Sequence, residues 1–98
     1  MVDWENITQH LFGTSVSLKP LAGEYDLNFH AVWDNQSCIL KVMRPDCEIS
    51  FVDMQIKALL HLKERDKSLP IPDVLSFKDD CLITTENDRL VWAQSRLD

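Results

Sequence analysis

The sequence predicts an α+β fold: a five-stranded antiparallel sheet with one long helix packed on it and a short N-terminal helix. Three observations carry this. Segments with apolar residues at every second position lie on both sides of a single segment whose apolar residues recur every three or four positions. Turn-forming clusters such as "DNQS" and "END" separate the alternating segments. The composition, 45% hydrophobic and 27% charged over 98 residues, is that of one small globular domain with a modest core, spanning residues 1–98.

The elements follow in order. Asp3 or Asn6 is placed to cap an opening helix whose Ile7, Leu11 and Phe12 share a face, and Gly13 to stop it. The segment "SVSLKPL" reads as a strand. In "EYDLNFHAVW", Leu27, Phe29, Ala31 and Trp33 alternate with polar neighbours, the pattern of a half-exposed strand. The "DNQS" turn leads directly into a third strand, "CILKVM", which completes an antiparallel meander. After Pro45 the period changes: Ile49, Val52, Ile56, Leu59, Leu60 and Leu62 predict a long helix over residues 49–63. The prolines of "LPIPDVLSF" end it and open a connecting strand, and "CLITTENDRLVWAQSRLD" supplies the final strand or strands.

Charge and cysteine content exclude several function classes. A formal net charge of −6 argues against nucleic acid or an anionic membrane as the main partner, because both require a basic surface. No apolar run approaches the roughly 20 residues that span a bilayer, and "MVDWENITQH" lacks the basic start and apolar centre of a signal peptide, so a cytosolic location is expected. Cys38, Cys47 and Cys81 are odd in number and widely spaced, without CxxC, and read as packed thiols rather than a disulfide or zinc framework.

The chemistry concentrates where polar residues occupy apolar surroundings. Lys41 sits inside "SCILKVMRP", a strand apolar on both faces, where a charge is costly unless it reaches water or an anion. Gln55 falls between Val52, Leu59 and Leu62 on the apolar stripe of the helix, aiming an amide at the surface beneath it. A glycine-bearing turn, "LAGEYDLNF", separates the first two strands. Exposed backbone N–H groups in such a turn, beside a strand lysine, make an arrangement suited to phosphate, although neither GxGxxG nor GxxxxGK[ST] is present.

In this order, "LFGTSVSLKPLAGEYDLNF", "CILKVMRP", "DMQIKALLHL", "LPIPDVL" and "RLVWAQSRLD" resemble the N-terminal lobe of the protein-kinase-like fold. The closer resemblance is to the aminoglycoside phosphotransferase family, in its hydroxylysine-kinase-like branch, where such a lobe can also precede a class III aminotransferase domain. The resemblance implies an ATP-dependent phosphotransferase acting on a hydroxylated or amino-bearing metabolite. Lys41 would contact the α and β phosphates, and Gly23, Glu24, Tyr25, Asp26 and Asn28 would cover them. Gln94, Ser95 and Leu97 would form the hinge against which adenine lies. Two departures accompany it. The helix position that is commonly a glutamate paired with the strand lysine corresponds to Gln55, with Glu48 or Asp53 as substitutes in another helix register. Moreover, no histidine begins an HxD motif, so the Asp base and the magnesium ligands belong to a catalytic lobe absent from this chain, and the chain alone is expected to be inactive.

Each feature also has a plainer reading. Lys41 can snorkel from a sheet edge, Gln55 can be satisfied by backbone, and Asp26 and Asn28 can bond within their own turn. His30 and His61 read as solvated, the three tryptophans as packing, and "KERDK" as a charged helix end. The alternative function is therefore a binding or interaction module that keeps the lobe without handling nucleotide. In either case, exposed apolar surface near the final strand would favour self-association of the isolated lobe.

Overall fold

The structure, a computed structural model, describes residues 2–21 and 26–95. It opens with α1 (Trp4–Phe12). Asp3 caps this helix by accepting a hydrogen bond from the Asn6 N–H at 3.0 Å. Gly13 ends it in the left-handed region (φ 73°), with its N–H donating to the Gln9 carbonyl at 2.8 Å. Three strands follow, β1 (Ser17–Leu21), β2 (Leu27–Trp33) and β3 (Gln36–Val42), then α2 (Ile49–Arg65), and finally β4 (Val74–Leu75), β5 (Thr84–Glu86) and β6 (Arg89–Gln94).

All pairings are antiparallel, in the order β1-β2-β3-β6-β4, and β5 also pairs with β6. The sheet thus has six strands among the described residues, where the sequence pattern predicts five. The extra strand arises because β4 and β5 share one edge of β6, each along part of its length. Pro70 and Pro72 cannot donate to a ladder, which keeps the first of these pairings to two residues. A two-residue turn at Asn87 and Asp88, both at positive φ, closes the β5–β6 hairpin in the primed geometry that suits strand twist.

The alternation of β3 divides the interior into two cores. Cys38, Leu40 and Val42 point to one face, where they meet Val16, Ala31, Phe77, Val91 and Ala93 beneath α1. The Phe12 and Trp33 rings stack there with centroids 4.9 Å apart. On the opposite face Met43 and Trp92 pack against Val52 and Ile56 of α2. Lys41 belongs to this second face.

Only part of the apolar arc of α2 is buried. Val52 and Ile56 are fully covered and Leu59 packs beside them, whereas Ile49, Leu60 and Leu62 are exposed. The exposed large apolar side chains lie on α2, at Val2, and on β1 and β2, not on β6, where Val91, Trp92 and Ala93 are buried. Lys63, assigned by sequence to a charged exit, instead ties the helix end to the following segment. Its ammonium donates to the Leu69 carbonyl at 3.2 Å and lies 3.6 Å from the Asp73 carboxylate. No helix of the described residues is long and apolar enough to cross a membrane.

Candidate functional site

A cleft of about 440 Å³ lies between α2 and the α2-facing side of the sheet. Asp26, Lys41, Arg44, Gln55, Trp92 and Gln94 contribute to its wall, together with apolar side chains that include Met43, Phe51 and Leu59. Strand register explains why these residues meet. Asn28 on β2 stands opposite Lys41 on β3, and Lys41 stands opposite Trp92 on β6, so the three side chains form one row across the α2-facing side.

The row is short of partners. The Asn28 side-chain oxygen Oδ1 and the Trp92 indole nitrogen Nε1 are buried without a hydrogen bond among the described residues. Lys41, half-buried between them, forms no hydrogen bond or ion pair there either. Buried polar groups are nearly always satisfied, so an acceptor, an ammonium and a donor left open in one row mark an unusual place in the fold.

Of the sequence-predicted site residues, Asp26, Lys41, Gln55 and Gln94 border the same cleft. Gly23, Glu24, Tyr25 and Leu97 lie outside the described residues. The turn before Asp26 lies outside the described residues, and Asp26 has a described partner beyond it. Its Oδ1 accepts from the Arg44 backbone N–H at 2.8 Å, fixing the start of β2 to the end of β3. Ser95 is engaged away from the cleft: its N–H donates to the Asp73 carbonyl and its hydroxyl oxygen accepts from the Asp73 N–H, each at 2.8 Å.

The helix supplies no carboxylate to Lys41. Gln55 is at the flank of the buried stripe, beside Val52 and Ile56, and shares no hydrogen bond with Lys41. Asp53 is bound to Lys57 at 2.9 Å, and Glu48 is exposed at the helix start, where its side chain makes no capping bond. Among the described residues the cleft wall carries two cations, Lys41 and Arg44, against one carboxylate, Asp26. Arg44 is itself drawn toward Asp46, with Nε 3.2 Å from Oδ1. Lys41 has no such partner among the described residues.

The thiols are poorly suited to nucleophilic work. Burial pushes the Cys38 thiol up to about 12 and also raises that of Cys47, while the Asp79 carboxylate raises that of Cys81. Among the described residues no group of three or more His, Cys, Asp or Glu side chains is placed to hold a metal ion.

Asn28 as a partner in this row follows from a signal in the sequence. A two-residue turn at Asp34 and Asn35 pairs Trp33 with Gln36, and counting back along both strands brings Asn28 opposite Lys41. Trp92 carries no comparable local signal, because its pairing with β3 spans α2 and two further strands. Comparison of the chain with family models, curated proteins and solved structures returns no match.

Proposed function

We propose that the cleft binds ATP and that the chain is the nucleotide-binding lobe of a small-molecule phosphotransferase with a protein-kinase-like fold. Lys41 is the observation that carries this reading: an ammonium on the α2-facing side of β3, inside a cleft, that forms no ion pair among the described residues. A polyanion is the ligand such a group favours. The cleft volume falls in the range of about 300–1,000 Å³ common to small-ligand sites.

In this reading the Lys41 ammonium binds the α and β phosphates and Asp26, Asn28 and the preceding turn cover them. Gln94 borders the space for the base. When ATP is bound it supplies the phosphoryl group, and the chain's part is to position it. The Asp base and the magnesium ligands come from a second lobe, in the manner that the resemblance to aminoglycoside phosphotransferases implies. The acceptor is a hydroxylated or amino-bearing metabolite. The neutral Gln55 favours a second reading, in which the lobe is a binding module without nucleotide chemistry.

The test is ATP-dependent phosphorylation of a panel of amino alcohols and amino sugars by the full-length protein, wild type beside Lys41→Ala. The expected result is a loss of turnover of about 100-fold or more without loss of fold, since one positioned charge at a transferring phosphate contributes on that order. Equal turnover of the two proteins would withdraw Lys41 from the chemistry. Absence of transfer by the wild type on every acceptor, with no ATP binding, would favour the binding module.

A further inference from the structure

We propose that Asn28, not a residue of the helix, is the positioning residue for Lys41. The inference rests on the reading of Lys41 as the phosphate-binding group and assigns the contact that holds it. In lobes of this kind the orienting partner is expected to come from the helix, yet Gln55 makes no bond to Lys41, Asp53 is held by Lys57, and Glu48 is exposed.

Asn28 is not bonded to Lys41 in the structure either, but it offers a register position and an unmet acceptor that those residues do not. It is the direct register partner of Lys41 on the adjacent strand, so the two side chains leave the same face of the sheet. Directly opposed residues have Cβ atoms about 4.5–5.5 Å apart, and a lysine stem of four carbons easily spans that distance. Its Oδ1 is a buried acceptor without a partner, and the Lys41 ammonium has three donors and no partner among the described residues. A modest turn of the lysine stem would let one N–H of the ammonium donate to Oδ1, which would satisfy the orphan and fix the lysine rotamer, leaving two N–H donors for phosphate oxygens.

The choice of an amide has an electrostatic consequence. A carboxylate partner would cancel part of the lysine charge before a ligand arrives. An amide oxygen orients the ammonium and leaves its full charge for the phosphates.

Nuclear relaxation of the lysine side-chain carbons tests the assignment. The order parameter of the Lys41 Cε is compared in wild type, Asn28→Ala, Asn28→Asp and Gln55→Leu, each with and without MgATP. The expected result without nucleotide is a clear fall for Asn28→Ala, rescue by Asn28→Asp, whose oxygen occupies the same place, and no change for Gln55→Leu. An unchanged Lys41 in Asn28→Ala, or an equal fall in Gln55→Leu, would overturn the proposal. The nucleotide arm reads the other claim separately. Lys41 ordered by Asn28 but unmoved by MgATP would retain the positioning contact and remove the phosphate role. With both claims correct, Asn28→Ala weakens MgATP binding about tenfold, the scale of one lost hydrogen bond, and Asn28→Asp, by adding a negative charge near the phosphates, does not restore it.

Discussion

Lys41 and Trp92 stand directly opposite each other on β3 and β6, a cation and a nearly fully buried indole sharing one rung on the side of the sheet that α2 covers. The indole and the lysine both line the cleft. The indole N–H has no partner among the described residues, within which the large ring is held by packing. Trp92→Ala is expected to destabilise the fold by about 3–5 kcal/mol, the usual cost of emptying such a site. Trp92→Phe is expected to cost much less, because it removes an unpaired buried donor together with part of the ring. Urea unfolding of the two variants checks this, and equal losses would mean that the indole N–H is bonded in solution.

Lys41 itself contributes little to folding in this account. Lys41→Met keeps the length of the stem and sets the relief of a half-buried ammonium against the one bond proposed to Asn28, so stability is expected to change by no more than about 1 kcal/mol. A loss above about 2 kcal/mol on denaturant unfolding, the scale of breaking a buried charged contact, would place the ammonium in the structural network instead.

Cys38 makes the stability depend on pH at the alkaline end. Its thiol, ordinarily at 9.0, is held protonated by burial up to about 12. Between these values the unfolded chain releases a proton that the folded chain keeps, so the unfolded state binds fewer protons and stability falls as pH rises. The fall attributable to this one group approaches about 1.4 kcal/mol per pH unit within that window, and is absent below it. The measurement is the difference in unfolding free energy between wild type and Cys38→Ala across the alkaline range. A constant difference would show that the thiol is not shielded. Alkylation at neutral pH should reach the exposed Cys81 well before Cys38.

The ends of α1 offer two small, local tests. Asp3→Ala removes the bond to the Asn6 N–H and is expected to cost about 1 kcal/mol. Gly13→Ala places a Cβ at φ 73°, 3.1 Å from the Lys78 Cδ, and is expected to cost about 1 kcal/mol or more. Thermal melts of both variants measure the effect, and wild-type melting of Gly13→Ala would show that the helix end relaxes.

The meander, both helices and the caps of α1 were legible because each is written locally, in period-2 or period-3.6 patterns bounded by turn residues. Asp3 and Gly13 act as their types suggest. The side of α2 that meets the sheet was not legible. Its apolar arc is wider than the contact, so Leu62, counted with the buried stripe, is 43% exposed and Gln55 lies at the flank facing the cleft. The separate pairings of β4 and β5 with β6 depend on long-range docking and leave only two- and three-residue traces. In the site, the alternation of β3 singles out Lys41, whereas the unmet valences of Asn28 and Trp92 emerge only when three strands are assembled side by side.

The central claim is that the Lys41 cleft receives the phosphates of a nucleotide, and the indole resonances test it most directly. Trp92 borders the cleft, whereas Trp4 and Trp33 pack on the opposite face of the sheet. In a MgATP titration followed by proton–nitrogen correlation spectra, the Trp92 indole and the backbone around Lys41 should shift in a saturable manner. The Trp4 and Trp33 indoles should stay in place, and Lys41→Ala should abolish the response. Weak affinity is expected, because a shallow, open cleft buries only part of a ligand. Spectra that do not change up to the solubility limit of MgATP, or shifts that persist in Lys41→Ala, would contradict the claim.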